Sequence, residues 1–489
     1  MNDSQPRKKT KISGGTVIAF KDGSHRVLEN GVVVFEDNRI VHVGKKYDGD
    51  TDVSIAATGK LVIPGFVSTH AHVNANEGSR LIADLGRRDV MRSGFLNYTP
   101  NNGIDGRPFV AAASAKDSIR FGFAQLIRNG ITTVLSFGAG SRDDPKLMTE
   151  LADESGLRVY YAPQCTGAEN YFDGQGRLQP IWNEAAGFEQ LERAARFVED
   201  NHGKFDGRLQ GLILVRNFIL ATVPLMRRAK AYADRLGVQF STHFCEQLFE
   251  FHETARKHGI TPVDLMEAEG LLGPNVLLAH CVYIAGHSAT TWEYSSDLEK
   301  LGRTRTAVSH APVAYMRRGY NLEGFERYVD HGVTMSIGTD TMPHDIMAEM
   351  RLGALVAKLI GKNHEVGTSA SFFDAATLGG AKAFGRDDIG RLAVGAKADI
   401  VIMDFDNMQI GPVYDPIRSL VHLGTPDLIE TVICDGKTLM SEGVLTAYDE
   451  RAVIEGGKRS FGQVVDQFQQ RHWSHQPIEQ CFPKSYQAW

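Results

Sequence analysis

Cysteine is scarce in this chain: five residues in 489. They stand at positions 165, 245, 281, 434 and 481, and no two share the CxxC spacing. That argues against a disulfide framework and against a cysteine-built zinc site, and it fits a reducing cytoplasm. Long apolar runs are missing too. None reaches the roughly 20 residues that a membrane-spanning helix needs, so no membrane partner is expected. The opening stretch, Met1 to Lys11, is polar and basic with no apolar segment behind it, which is not the pattern of a secretory signal. Its cluster Arg7-Lys8-Lys9-Thr10-Lys11 reads as a solvated arm. Positive charge is not in excess, since 53 Lys and Arg face 59 Asp and Glu for a net −6, so nucleic acid is not an expected partner. Internal repeats and low-complexity tracts are also lacking.

What is present is an ordinary globular composition, 42% apolar and 23% charged, in a chain long enough for two or three domains. Residues 12 to about 60 read as short β-branched strands cut by turn signals such as Lys21-Asp22-Gly23 and Glu36-Asp37-Asn38. From residue 61 the pattern changes to apolar runs alternating with helical segments. The runs are Leu61–Thr69, Thr132–Phe137, Leu157–Pro163, Leu209–Val215, Val238–His243, Val276–His280, Thr306–His310 and Thr334–Thr339. Ser118–Arg128 and Val223–Leu236 carry helical spacing and stop at Asn129-Gly130 and Gly237. Continuous apolar strands separated by helices imply a parallel sheet buried on both faces. Eight such units fit an α/β fold of the (β/α)8 TIM-barrel class.

After residue 390 the β signature returns, so both termini are expected to join in one small β-sandwich domain. The expected division is 1–63 with 391–450 for that composite domain, 64–390 for the barrel, and 451–489 for a C-terminal helix and aromatic tail. The long stretch Val73 to Pro108, with its Asn101-Asn102-Gly103 turn, is expected to shape a pocket at one end of the barrel. The tail carries Trp473, Phe482, Tyr486 and Trp489. It is read as packing on a neighbouring surface or subunit, and a homo-oligomer, dimer or higher, is expected.

The stretch Leu61-Val-Ile-Pro-Gly-Phe-Val-Ser-Thr-His70-Ala-His72 organises the chemistry. Side chains at i and i+2 of a strand share a face, so both imidazoles can reach one metal ion. Other metal-ligand residue types fall at the ends of other predicted strands: His243 with Glu246 three residues on, His280, and Asp340. A barrel places its site at that end of its strands. A lone buried histidine is most simply a hydrogen-bonded core residue. Four strand ends that all carry such residues are hard to assign to chance.

Pro64-Gly-Phe-Val-Ser-Thr-His-Ala-His72, Ser241-Thr-His-Phe-Cys-Glu246, Leu278-Ala-His-Cys281, Ser309-His-Ala-Pro-Val313 and Gly338-Thr-Asp340 resemble the amidohydrolase superfamily. The nearest branch is the mononuclear one, with triazine chlorohydrolases, N-heterocycle aminohydrolases and related deaminases. The resemblance covers nearly the whole chain, including Gly390-Arg-Leu-Ala-Val-Gly-Ala-Lys-Ala-Asp-Ile-Val401. It implies one divalent metal ion per subunit, held by His70, His72, His243 and Asp340, with zinc expected and iron or cobalt as the alternatives. It implies Glu246 as general acid/base and His280 as the residue that holds the water or the reacting group. The absence of a lysine on the fourth predicted strand, where binuclear relatives carry a modified one, favours a single ion.

The implied reaction is hydrolytic displacement of an amine, or of a halide, from an amidine-like carbon of a small nitrogen compound such as an aminated heterocycle. Hydrolysis of an amide, urea or carbamate on the same site is the alternative. A non-catalytic structural protein on this fold is the remote one. Departures from the family pattern bear on the substrate. Arg216 and Asn217 stand where a Pro-His-X-Pro turn is usual. Ala311-Pro-Val-Ala-Tyr315, followed by Met316-Arg317-Arg318, replaces Cys-Pro-X-Ser-Asn, and Thr341-Met-Pro-His344-Asp345 replaces a small-residue turn. His310, His344, Arg216 and Asn217 are therefore the candidate substrate contacts, and a nucleoside-type deaminase is the less expected member of the branch.

Overall fold

The computed structural model describes residues 8–74, 79–82, 115–138, 144–172, 175, 177–292, 294, 296–486 and 488–489. Most of the stretch Val73 to Pro108, with the Asn101-Asn102-Gly103 turn, lies outside the described residues.

The N-terminal residues form β1 (Lys9–Lys21), β2 (Ser24–Glu36), β3 (Arg39–Gly44), β4 (Val53–Ala56) and β5 (Lys60–Pro64). β1 and β2 pair antiparallel across the Asp22-Gly23 turn, where both residues take the positive φ that such a turn demands. β4 and β5 lie parallel to β1. The apolar run that begins at Leu61 then serves two sheets. β5 ends at Pro64, and β6 (Phe66–Ala71) starts one residue later with a different partner. Gly65 is the pivot. A Cβ there would stand 2.1 Å from Thr132 Oγ1, so only glycine lets the two strands approach so closely.

Eight strand-like runs follow the expected order, with local breaks. They are β6, β7 (Ile131–Ser136), β8 (Arg158–Tyr160), β9 (Gln164–Cys165), β12 (Leu209–Gln210), β13 (Ile213–Asn217), β14 (Phe240–Phe244), β15 (Val276–His280), β16 (Ala307–His310) and β17 (Thr334–Ile337), with a hairpin of β10 (Ala168–Phe172) and β11 (Leu178–Trp182) set between β9 and β12. The predicted run Leu157–Pro163 forms only the short β8, with β9 starting just beyond it, and the run Leu209–Val215 is split into β12 and β13. Parallel pairing gives one sheet ordered β12-β8-β7-β6 and another ordered β17-β16-β15-β14-β13-β9. The two share the broken strands at one side. At the other side the chain beyond β17 hydrogen-bonds to the end of β6: Thr339 and Asp340 N–H both donate to His70 O at 2.9 Å, and His72 N–H donates to Asp340 O at 2.6 Å.

Every residue of β6, β7, β14, β15, β16 and β17 is buried, as strands covered on both faces require. Helices lie between them. Val223–Leu236 is representative: Thr222 Oγ1 accepts from Leu225 N–H at 3.4 Å, Pro224 sits in the first turn, and Gly237 ends the helix at φ +67°.

The C-terminal part returns to the first sheet. β18 (Ile400–Asp404), β19 (Ile429–Cys434), β20 (Lys437–Ser441) and β21 (Val444–Leu445) extend it to the order β21-β20-β19-β18-β5-β1-β2-β3, with β4 beside β1. Its apolar side, with Ile12, Val17, Val33, Val62, Ile400 and Ile433, forms a cluster separate from the main core. The two parts are joined by buried charges: Arg158 on β8 meets Asp399 and, at 3.2 Å, Asp435, which also takes Lys397 at 2.7 Å. A helix at Glu450–Arg471 follows, and the tail folds back on it, with the Phe468 and Phe482 rings 5.6 Å apart. Tyr486 and Trp489 are exposed.

Candidate metal centre

The strand ends converge. His70, on β6, is 1% exposed, and His72 stands just past the end of the same strand. His243 is on β14 and His280 closes β15. Asp340 comes from the turn after β17, at φ +47°, and Gly338 lets that turn approach, since a Cβ there would lie 2.8 Å from His70 Cβ. His280 also holds a left-handed backbone, at φ +82°. Such conformations in non-glycine residues persist only where the surroundings enforce them, and they gather at functional sites. The rings of His70 and His243 pack on Phe137 at 4.6 and 4.5 Å between centroids, which walls the cluster with apolar surface.

His72 Nε2 faces His243 Nε2 at 3.1 Å, and Asp340 Oδ1 lies 3.4 Å from His70 Nε2 and 3.5 Å from His72 Nε2. Two ligands on a tetrahedral zinc ion with bonds of about 2.0–2.1 Å stand roughly 3.4 Å apart. The donor atoms of His70, His72 and Asp340, those of His70, His243 and His280, and those of Glu246, His280 and Asp340 form three groups, each spanning no more than 4.8 Å.

Tautomers argue the same way. His243 donates Nδ1–H to the Arg216 carbonyl. Its Nε2 therefore carries a lone pair directed at His72 Nε2, the orientation a metal ligand needs. Among the described residues neither ring nitrogen of His70 has a hydrogen bond of good geometry. Burial, and next the neighbouring His70, lowers the His72 pKa to about 4, and the same two causes hold His243 and His280 well below the usual histidine range. Burial works to raise Asp340, but its close contact with His70 and the charges of His280, His70 and His72 outweigh it and keep the carboxylate ionised. Neutral imidazoles and one carboxylate are the donor set that a divalent transition ion takes, so these residues fit the group.

Beside this cluster Glu246 is held by Arg318 and stands near His280. Arg318 Nη1 donates to its Oε1, and His280 Nε2 lies 3.9 Å from its Oε2. His280 Nδ1 meets the Tyr315 hydroxyl at 2.7 Å, and Tyr320 OH receives Arg318 Nη1 at 2.8 Å and Gln247 Nε2 at 3.0 Å.

A profile of the amidohydrolase family matches residues 61–439 of this chain. The chain belongs to the amidohydrolase family. It is a hydrolytic enzyme of carbon–nitrogen bonds other than peptide bonds. Among curated relatives, 5'-deoxyadenosine deaminase of Methanosarcina barkeri is 28% identical over 90% of this chain and 94% of its own length, and 5-methylthioadenosine/S-adenosylhomocysteine deaminase of Thermococcus onnurineus is 28% identical over 83% and 89%. Among solved structures, atrazine chlorohydrolase of Arthrobacter aurescens complexed with zinc aligns at TM-score 0.78 with 22% identity, covering 92% of this chain and 100% of that one. An adenosine deaminase of Xanthomonas campestris with bound zinc aligns at 0.78 with 18% identity, covering 94% and 98%. The structural likeness at these identities speaks to the fold. The relatives include nucleoside deaminases, the class that the sequence departures had argued against.

In this amidohydrolase the expected ligand residues and Glu246 with His280 are brought together. The expected substrate contacts divide. His310 ends β16, fully buried, with its ring 5.6 Å from that of Tyr315, and burial lowers its pKa to about 3. His344 is buried near Asp340, its Nδ1 3.0 Å from Thr339 Oγ1. Arg216 turns its guanidinium to Glu169 on the β10–β11 hairpin, and Asn217 uses its Oδ1 to accept from Ile219 N–H at 3.0 Å. Sequence reading did not single out Gln247, Tyr315, Arg318 or Tyr320 as members of the site. The one signal for Tyr315 and Arg318 was the departure at Tyr315-Met-Arg-Arg318, whose direction in space the sequence does not state.

Proposed function

We propose that this enzyme hydrolyses an aminated, amidine-like carbon of a small nitrogen compound, with His70, His72, His243 and Asp340 holding one divalent ion, zinc in the first instance. The observation that carries the reading is the juxtaposition of those donors with a carboxylate, Glu246, that is not needed to complete the set. A divalent ion bound there supplies Lewis-acid activation of water at neutral pH. Glu246 accepts the proton of the attacking water as the carbon–oxygen bond forms. It then delivers that proton to the departing nitrogen, so that the carbon–nitrogen bond breaks with release of a neutral amine. His280, fixed through Nδ1 by Tyr315, presents Nε2 to Glu246 and orients the reacting groups. His310 and His344, both neutral by burial, contact the substrate ring in this reading.

The same reading takes the strands β6 to β17 as one closed (β/α)8 barrel, which the His70–Asp340 backbone bonds support, and the terminal strands as a β-sandwich domain made of residues 1–63 and 391–450. The barrel is 64–390 and the tail 451–489, in a cytoplasmic homo-oligomer. The nucleoside deaminases among the relatives make purine-like amines the first compounds to try.

The test is metal analysis of the purified protein together with a screen of aminated heterocycles, ureas and amides for ammonia or amine release. One equivalent of divalent ion, and ammonia from an intact heterocycle, is the expected result. Cleavage confined to ureas or amides would replace the aminohydrolase reading, and a metal-free protein of unchanged stability would overturn both.

A further inference from the structure

Arg318 uses only one of its nitrogens. The side chain is 9% exposed. Nη1 donates to Glu246 Oε1 and to Tyr320 OH, and among the described residues Nε and Nη2 have no hydrogen-bond partner. The two unmatched donors are not among the buried polar atoms that lack a partner, so that edge still reaches solvent and is open to an incoming group. If Arg318 served only to hold Glu246, the two-pronged Nε–Nη2 edge would be the natural contact, because it matches a carboxylate bidentately. Glu246 instead meets the Nη1 corner, and the matching edge is left for something else.

The surroundings add a second observation. Arg317, next along the chain, is half-buried and makes no ion pair among the described residues, and burial holds its pKa below the usual arginine value. The acidic groups that act on it are Glu349 and Asp340. Glu349 is itself pushed well above the carboxylate range by burial, its carboxyl accepting from Val313 N–H at 2.8 Å, and Asp340 belongs to the histidine cluster. Arg318 thus meets Glu246 through one corner only, and Arg317 stands beside it with no ion pair among the described residues. They sit on the segment after β16, where the chain departs from the family pattern.

We infer that the Nε–Nη2 edge of Arg318 seats a carboxylate of the substrate, with Arg317 adding a second positive charge, so that the compound hydrolysed is an amine-bearing acid. The inference rests on the hydrolase reading above for the reacting end of the molecule, and on Arg318 alone for the other end. Glu246 contacts Arg318 and lies 3.9 Å from His280, so a small ring bearing both an amine and a carboxylate is the kind of compound to test.

A matched pair of probes tests this: 4-aminopyrimidine-5-carboxylate and its carboxamide, bound to the metal-loaded enzyme and followed by calorimetry. In the wild-type enzyme the acid should bind at least about tenfold more tightly than the amide, as expected for a charge-assisted bidentate pair. In Arg318→Met the ratio should fall to about one. Arg318→Lys keeps the charge without the fork and should retain only part of the preference, and it carries the test if the Met variant does not fold. Equal affinity of acid and amide in the wild type, or no binding of either, overturns the inference. So does an acid preference that survives in Arg318→Met, because the carboxylate would then sit on the metal. These readings need no turnover. A failure of the hydrolase reading shows separately, as an absence of ammonia or amine release from every compound in the screen.

Discussion

At the scale of single residues, the division of labour between Glu246 and the histidines makes two separable predictions. Glu246→Gln keeps shape and hydrogen-bonding capacity but cannot carry a proton, so the variant should retain its metal and lose at least ~10²-fold in turnover, the scale of general acid–base catalysis. Full turnover in a metal-replete Gln variant would remove Glu246 from the proton path. His243→Ala deletes a donor that the Arg216 carbonyl has already oriented, and metal and activity should disappear together. Metal analysis decides it, since a stoichiometric ion in the alanine variant would take His243 out of the ligand set.

At the scale of elements, one junction is decisive. The chain passes from the terminal sheet to the first strand of the parallel set across Gly65, and the register of β6 after that junction determines where His70 and His72 point. Gly65→Ala would bring a methyl group to 2.1 Å from Thr132 Oγ1, which is backed by other buried atoms. We expect a loss of about 1–3 kcal/mol in stability, the usual cost of overpacking, with partial recovery in Gly65→Ala/Thr132→Ala. Urea-unfolding midpoints measure both, and an alanine variant of unchanged midpoint would show that the junction relaxes freely.

At the scale of the whole molecule, the terminal sheet and the strand-and-helix core are joined by groups that water does not reach. Arg158 is fully buried against Asp399 and Asp435. Arg158→Met should leave those two carboxylates uncompensated and cost about 3–5 kcal/mol, seen in chemical denaturation. A neutral outcome would mean that Lys397 alone balances them. A second contact between the parts makes stability depend on pH. His25, on β2, packs 5.0 Å from the Phe373 ring and lies 3.8 Å from Asp374 Oδ1 and 3.1 Å from Thr377 Oγ1. Burial first, and Arg391 second, lowers its pKa from 6.5 to about 4. The unfolded chain therefore takes up a proton between these values that the folded chain does not. The stability from neutral His25 is complete above about pH 6.5 and is lost as the pH falls toward 4, by about 1–2 kcal/mol at pH 5. Asp374, whose carboxyl burial raises to about 6, opposes this in the same window. His25→Gln should flatten the fall between pH 7 and pH 5, and an identical slope in wild type and variant would remove His25 as its source.

Taken alone, the sequence pointed to the amidohydrolase family, to parallel strands alternating with helices, and to metal-ligand residue types at the strand ends. The spacing of apolar runs, the i and i+2 pair at positions 70 and 72, and donor residues at successive strand ends are properties of a one-dimensional string. They report on periodicity, which backbone geometry imposes. Two features only the tertiary structure decided. One is that the run starting at Leu61 belongs to two sheets, which depends on how closely Thr132 approaches Gly65. The other is that Tyr315, Arg318 and Tyr320 turn back on His280 and Glu246, residues that lie far off in sequence. No local preference encodes such contacts, because the partners become neighbours only after the strands between them have packed side by side.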